Sequence, residues 1–110
     1  MHFLELRQYE IFPDKMDEWV VLMENEIIPF QRSKGMVVTG SFRVEEQSNL
    51  YVWMRSFENE EQCKELYAAV YESDTWKSKF SPKIDELLNR ETIKVSRLIP
   101  TSSSWEVGAD

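Results

Sequence analysis

The order of short alternating segments and longer amphipathic stretches is the feature that most constrains how this chain of 110 residues can fold. Four segments of strand length alternate apolar and polar residues, and two helix-length stretches carry apolar residues at helical spacing. Their order along the chain is β-α-β-β-α-β. Connections of this kind place the four strands in one sheet with both helices on the same side of it. The sequence therefore predicts an α+β domain whose second sheet face has no helical cover.

The boundaries of the segments follow from turn and capping residues. The four predicted strands span residues 3–11, 36–46, 50–57 and 91–99. Asp14 is a suitable N-cap for the first helix, and Pro29 inside that helix predicts a kink or a restart near Ile28. Asn59 is expected to cap the second helix. We expect these elements to form a single domain over residues 1–100.

The last third of the chain contains shorter pieces. Ser73-Asp74 opens a helical piece that carries Trp76, and Pro82 opens another. After residue 100 the sequence TSSSWEVGAD lacks a periodic pattern, which predicts a flexible tail over residues 101–110. Trp105 in this tail could dock on a neighbouring surface.

Charge and cysteine content argue against several classes of protein. A net charge of −7 disfavours binding to nucleic acids or acidic membranes, because both require basic surfaces. The longest apolar runs are far shorter than the ~20 residues of a membrane-spanning helix, and the first residues lack the pattern of a secretory signal. The single cysteine, Cys63, lies on an apolar helical stripe, so we expect a core residue in a protein of the reducing cytoplasm.

The available side chains predict no cofactor. His2 and Cys63 are the only residues of their kinds, and the carboxylates are not convergently spaced, so the sequence predicts neither a zinc nor an iron site. A haem group would have no suitable axial ligand. Glycine-rich phosphate loops and serine nucleophile motifs are absent from the sequence.

Side-chain alternation sorts the strand residues into two sets, one for each face of the sheet. The first set is aliphatic or aromatic and is assigned to the helix-covered core; its members are Leu4, Leu6, Val38, Phe42, Val44, Val52, Met54, Ile93 and Val95. The second set mixes charges, hydroxyls and large rings and is assigned to the bare face; its members are Glu5, Arg7, Tyr9, Thr39, Ser41, Arg43, Tyr51, Trp53, Arg55, Lys94 and Ser96.

A bare face with several aromatic rings is a surface that monomers rarely expose. Packing this face on a second copy by two-fold symmetry would cover it, and we therefore expect a homodimer. Two sheets that meet in this way enclose a barrel-like interior, in which Glu5 would pair with Arg7 or Arg55. Rings with a few convergent polar groups are also typical of a small-molecule pocket.

The candidate ligand-binding residues belong to the second set. They are Arg7, Tyr9, Thr39, Ser41, Trp53 and Arg55. In this interpretation an arginine binds a carboxylate or a polarised carbonyl, Trp53 stacks on a ring, and Tyr9 donates a hydrogen bond or acts as a weak general acid. Alternatively, the same residues are packing and ion pairs at a dimer interface, which favours Arg, Trp and Tyr. The rings of Tyr67, Tyr71 and Trp76 are interpreted as core residues that could close one end of the pocket.

Five segments of the chain carry a family resemblance. They are LRQY at 6–9, PDKMDEW at 13–19, GMVVTGSF at 35–42, VWMRSF at 52–57 and YESDTW at 71–76. In this order they resemble the bacterial members of the NIPSNAP family, within the dimeric α/β-barrel superfamily. The resemblance implies a ferredoxin-like βαββαβ antiparallel sheet with helices on one face, assembled as a dimeric α/β barrel.

The resemblance implies no particular reaction, because the family has no established general activity. Its members in animal mitochondria are associated with trafficking and mitochondrial quality control. Superfamily relatives include cofactor-independent monooxygenases, dehydratases, isomerases and haem-degrading enzymes. Our leading hypothesis is a homodimer that binds a small, partly aromatic or acidic metabolite in the barrel interior. The alternatives are an enzyme of the monooxygenase or isomerase type and a non-enzymatic dimeric interaction protein.

Overall fold

The computed structural model describes residues 2–104 and contains the predicted order of strands and helices. The strands are β1 (Phe3–Glu10), β2 (Val37–Arg43), β3 (Leu50–Phe57) and β4 (Lys94–Leu98). They form one antiparallel sheet in the order β2-β3-β1-β4. This arrangement confirms the predicted α+β fold with a four-stranded antiparallel sheet.

The strand ends differ from the predicted ones by a few residues. Strand β2 stops at Arg43, and a turn leads into β3. The start of the predicted last strand is instead a 3-10 helix, Arg90–Thr92, which Asn89 caps by accepting a hydrogen bond from the backbone N–H of Glu91. Asn side chains favour such local caps, and the cap delays the strand to Lys94.

The first helical run has three parts: α1 (Met16–Leu22), a π-helical segment (Met23–Ile27) and α2 (Ile28–Ser33). The π-helical segment comes directly before Ile28-Pro29. Proline has no N–H to donate to the carbonyl four residues earlier, and a π turn relieves the resulting break in the α-helical hydrogen bonds. The predicted interruption near Ile28 therefore takes the form of a local change of helix type.

The prediction that Asp14 caps this helix is wrong. Asp14 adopts a left-handed backbone conformation with φ of 64°, and the helix begins two residues later at Met16. A turn in which the Lys15 N–H donates to the Phe12 carbonyl occupies this position, so the Asp14 side chain is not at the helix start.

The second helical run begins with α3 (Glu60–Tyr71), where the Asn59 side chain accepts a hydrogen bond of 2.7 Å from the Gln62 N–H. This confirms the predicted cap. A second π-helical segment (Trp76–Phe80) then leads directly into α4 (Ser81–Leu87), with Pro82 near its start. The two helical pieces predicted here are present, but they are joined without a break.

The helices cover the face of the sheet that was assigned to the second set. The Tyr9 ring meets the ring of Trp19 in α1 edge-on, at 5.7 Å between centroids. Arg55 donates to Gln31 in α2 at 2.9 Å and to the hydroxyl of Tyr71 in α3 at 2.7 Å. On β1 and β3, the assignment of the charged and ring residues to the bare face is therefore wrong.

The physical reason is that the helices carry polar partners for the buried charges. A charge is expelled from a core only when its hydrogen bonds cannot be met there, and here they are met. The sequence analysis assigned the apolar set to the helix-covered core because charged side chains are rarely buried inside a protomer.

Strand β2 departs from the simple alternation, whereas β4 follows it. A β-bulge between Val38 and Gly40 changes the phase of β2, so Val38 and Ser41 both lie on the helix-covered side, opposite Arg55 and Trp53. In β4 the register places Val95 opposite Arg7, hence on the helix-covered side as predicted. Lys94 and Ser96 in turn lie on the uncovered side, as predicted.

The uncovered face of the sheet is apolar, and we call it the open face. Its apolar side chains are Leu4, Leu6, Val37, Phe42, Leu50, Val52, Met54 and Leu98, and the uncharged polar side chains of Gln8, Ser56 and Ser96 lie among them. Phe42 is 52% exposed and Val37 is 48% exposed, whereas the central residues of β1 and β3 are half-buried by their neighbours. A continuous apolar surface of this kind usually marks an interaction site.

The predicted tail is only partly described. Residues 101–104 form a turn in which the Ser104 N–H donates to the Thr101 carbonyl at 3.0 Å. The prediction for Trp105 lies outside the described residues. Among residues 2–104, no helix has the length and apolar character needed to cross a bilayer.

Candidate functional site

Three charged side chains of neighbouring strands form an ionic cluster under the helices. Glu5 on β1 lies directly opposite Arg55 on β3, and Arg7 follows two residues along β1 on the same face. Glu5 Oε1 accepts hydrogen bonds from Nε of Arg7 at 3.0 Å and from Nε of Arg55 at 3.0 Å. The hydroxyl of Tyr67 donates to the other Glu5 oxygen. The carboxylate is thus shared between the two guanidinium groups.

Arg55 uses all five of its N–H donors within this cluster. Nε and Nη2 donate to Glu5, Nη2 also donates to the Tyr67 hydroxyl, and Nη1 donates to Gln31 and to the Tyr71 hydroxyl. Its guanidinium lies over the ring of Trp53 at 4.9 Å from the centroid and is fully buried. A guanidinium whose five N–H groups all donate within the protein has none left to bind a ligand. We therefore assign Arg55 a structural role.

Arg7 is less completely satisfied. Nε donates to Glu5, Nη1 donates to the Tyr9 hydroxyl at 3.2 Å and Nη2 donates to the Tyr67 hydroxyl at 3.1 Å. Within residues 2–104, one N–H on each Nη of Arg7 has no partner, and 16% of the side chain is exposed. Arg7 can therefore accept a further anionic partner.

The cluster has an excess of positive charge. Burial alone would raise the pKa of Glu5, but Arg55 and Arg7 outweigh burial and hold the pKa of this carboxyl below its usual range. Burial opposes the charged form of Arg7 as well, yet the surrounding tyrosines and Glu5 raise its pKa. One carboxylate and two guanidinium groups leave one net positive charge under the helices.

A cavity of about 80 Å³ adjoins this cluster between the sheet and the helices. Its lining residues are Arg7, Tyr9, Trp19, Met23, Ile27, Gln31, Trp53, Tyr71, Trp76, Ile84, Arg90 and Ile93. Three buried donors among them have no hydrogen-bond partner within the described part of the chain: Trp19 Nε1, Gln31 Nε2 and Trp53 Nε1. Buried donors are nearly always paired in folded proteins, so three orphans around one cavity indicate room for a partner.

Burial keeps the tyrosines of the site protonated. The pKa of Tyr9 is raised because the side chain is buried, although Arg7 acts in the opposite direction. Burial, together with a hydrogen bond to Glu5, raises the pKa of Tyr67 to about 12. These hydroxyls are therefore hydrogen-bond donors at neutral pH.

The six sequence-predicted site residues are divided by the structure. Arg7, Tyr9 and Trp53 line the cavity. Arg55 lies behind them, bonded to Glu5. Ser41 Oγ lies 2.6 Å from the Tyr51 hydroxyl and 3.0 Å from a carboxylate oxygen of Glu24, outside the cavity. Thr39 lies at the bulge and is exposed.

Sequence reasoning missed the contribution of the helices. Trp19, Met23, Ile27 and Gln31 line the cavity from the first helical run, and none of them was among the sequence-predicted site residues. Gln31 follows Ile27 by four residues, so it lies on the same helical stripe. A polar amide on an otherwise apolar stripe was the signal that could have identified it.

The prediction that Cys63 is a core residue is confirmed. Its thiol is free and buried, and burial raises its pKa. Among the described residues, no group of three or more His, Cys, Asp and Glu side chains is placed to hold a metal ion.

Comparison with known proteins identifies relatives of the same fold. A NIPSNAP-like domain protein from Burkholderia xenovorans is 24% identical, with a TM-score of 0.86 over 96% of this chain and 90% of that chain. A NIPSNAP family protein of unknown function from Agrobacterium tumefaciens is 25% identical, with a TM-score of 0.84 over 94% of this chain and 91% of that chain. A second NIPSNAP family protein from Agrobacterium tumefaciens is also 25% identical, with a TM-score of 0.82 over 94% and 89%.

No functionally curated protein has detectable similarity to the chain. The sequence model of the NIPSNAP family matches residues 4–104, which include both helical runs and all four strands. The chain therefore belongs to the NIPSNAP family.

Proposed function

We propose that this protein binds a small, partly aromatic or acidic metabolite in the cavity between the helices and the sheet. The observation that carries the proposal is the position of Arg7, whose two unused N–H donors adjoin a cavity lined by aromatic rings. Convergent polar groups in an otherwise apolar cavity are typical of small-molecule sites. The proposed location differs from the sequence-based hypothesis, which placed the ligand between two sheets.

We also propose that the protein is a homodimer whose two copies meet through the open face. The eight apolar side chains of this face carry no charge, so a second copy of the same face is complementary to it. The charged side chains Glu10 and Lys94 lie only at one end of the face. The dimer would leave the ligand cavity of each protomer on the opposite side of its sheet.

A second candidate function is that of an enzyme of the monooxygenase or isomerase type, without a cofactor. It is favoured by the pairing of Arg7 with Tyr9, since a cationic group and a neutral phenol together can polarise a carbonyl. The non-enzymatic alternative, an interaction protein without a ligand, requires a filled interior, and the cavity argues against it.

Filling the cavity tests the binding proposal. Ile84→Phe adds a ring where Ile84 is buried at the cavity wall, whereas Ile99→Phe makes the same change where Ile99 is 58% exposed. We expect small acids and aromatic fragments to raise the melting temperature of wild-type protein and of the Ile99→Phe control, but not of Ile84→Phe. Equal responses of all three proteins would contradict the proposed location.

A further inference from the structure

We propose that the ligand of this cavity is a monocarboxylate with a short apolar tail, bound by Arg7 and by the indole and amide N–H groups around it. This inference rests on the proposed function, because it names the chemical class that the same cavity would bind. It follows from the kind of polar group left unused, from the local charge, and from the size of the cavity.

The buried side-chain atoms around the cavity that have no hydrogen-bond partner within residues 2–104 are all donors. The oxygens that could accept each already receive one hydrogen bond from an arginine: Gln31 Oε1 and the Tyr71 hydroxyl oxygen from Arg55, and the Tyr9 hydroxyl oxygen from Arg7. The groups without a partner within residues 2–104 are the N–H donors of Trp19, Gln31 and Trp53 and two N–H donors of Arg7. The matching ligand group is one that only accepts, and an ionised carboxylate is such a group.

Water fits this environment less well than an anion does. A buried water molecule usually makes about three hydrogen bonds, and it needs acceptors for its own two protons. The described lining residues offer water only the second lone pairs of oxygens that already accept from an arginine, so water molecules that satisfied the indoles would find few acceptors for their own protons. A carboxylate has no protons to place.

The charge of the surroundings matches a single negative charge. Glu5 balances only one of the two guanidinium groups of Arg7 and Arg55. The remaining cation of the lining, Arg90, is paired with Asp85 at 2.5 Å. A monoanion therefore neutralises the cluster, whereas a phosphate dianion would leave an excess of negative charge in a buried place.

The size and the apolar part of the lining limit the rest of the ligand. A cavity of about 80 Å³ is far smaller than the roughly 300–1,000 Å³ of a site for drug-sized molecules. Its apolar lining includes Met23, Ile27, Ile84 and Trp76. A tail of a few carbon atoms can pack there, but a nucleotide or a sugar cannot.

The carboxylate preference is tested by comparing butyrate with butyramide, which has nearly the same shape but no charge. Titration calorimetry at neutral pH, with tryptophan fluorescence as a second readout, would measure binding to wild-type protein. Three tryptophans line the cavity, so occupancy is expected to change the fluorescence. We expect butyrate to bind about tenfold or more tightly than butyramide, because a charged acceptor strengthens each N–H hydrogen bond. Inorganic phosphate should bind more weakly than butyrate.

Variants of Arg7 test whether its side chain causes the preference for butyrate over butyramide. Arg7→Met should abolish the preference for the acid, and Arg7→Lys, which keeps the charge but not the forked geometry, should retain part of it. Circular dichroism checks that each variant is folded. If Arg7→Met does not fold, the relative affinities of the acid and the amide for wild-type protein and for Arg7→Lys still show whether Arg7 selects a carboxylate.

The possible outcomes separate the inference from the proposed function. Equal or tighter binding of butyramide, or tighter binding of phosphate, would overturn the carboxylate inference while small-molecule binding in the cavity stands. If neither compound binds and the fragments of the cavity-filling experiment also fail to stabilise wild-type protein, both proposals are wrong.

Discussion

The helix-covered face and the open face of the same sheet differ in a direction that simple burial rules do not anticipate. The covered face carries Glu5, Arg7 and Arg55 under aromatic rings, whereas the open face carries aliphatic residues and Phe42. A face of a sheet can therefore be buried when its side chains have hydrogen-bond or packing partners, whatever their polarity. The charged side chains form hydrogen bonds with residues of the two helical runs. No helix within residues 2–104 covers the aliphatic side chains, which is why we expect a second copy there.

The largest effect is expected from breaking the covered face. Arg55→Met removes a fully buried guanidinium and leaves Gln31, Tyr67 and Tyr71 without its hydrogen bonds. We expect the free energy of unfolding to fall by about 3–5 kcal/mol, as measured by urea denaturation. The matched control is Arg43→Met, which removes an exposed pair with Asp17 and should cost less than about 1 kcal/mol. Similar losses in the two variants would show that the buried network is not what stabilises this face.

The next effect concerns the open face. Val37→Lys places an ammonium group on that face, whereas Val21→Lys makes the same change on a helix where Val21 is similarly exposed, at 57%. Wild-type protein should sediment at about 26 kDa, twice the 13.1 kDa of the protomer. We expect Val37→Lys to weaken the dimer roughly 100-fold, because it buries an unpaired charge in the interface. Val21→Lys should remain dimeric. A wild-type protein that stays monomeric at every concentration would disprove the dimer.

The smallest effect is the loss of stability at acidic pH, which tests the contribution of Glu5 to the ionic cluster. The folded-state pKa of Glu5 lies below the ordinary value of 4.5, so its ion pairs stabilise the fold above that pH. This stabilisation is lost as the pH falls from about 5 through the lowered pKa, because protons then bind more tightly to the unfolded chain. Glu5→Gln should be less stable than wild type at pH 7 and should lose less of its stability between pH 7 and acid. Parallel stability curves would show that Glu5 does not couple folding to pH.

The sequence was sufficient for the order and type of the elements, because the two periods of hydrophobicity differ clearly along this chain. Asn59 was identified as a cap for a local reason, namely that its amide reaches an N–H three residues ahead. The family was also within reach, and three of the predicted site residues, Arg7, Tyr9 and Trp53, line the cavity.

Strand periodicity alone could not predict which face of the sheet packs against the helices. Alternation groups Glu5, Arg7 and Tyr9 together, but it does not say which group faces the helices. That depends on partners distant in sequence, such as Gln31 and Tyr71, which only the packed structure brings to Arg55. The bulge next to Gly40 likewise depends on cross-strand pairing that a single strand does not reveal.

The two π-helical segments affect how each half of the chain tolerates the insertion or deletion of a residue. Each precedes a proline by two residues, at Pro29 in the first half and Pro82 in the second, and each contributes side chains to the cavity wall. Such a segment holds one surplus residue, and one residue rotates everything after it by about 100° around the helix axis. Deleting a single residue there would replace the π turn with α-helical hydrogen bonds up to the proline, and it would turn Gln31 or Ile84 away from the sheet. Insertions and deletions at these two points are therefore a route by which related chains can reshape the wall of the cavity without altering any strand.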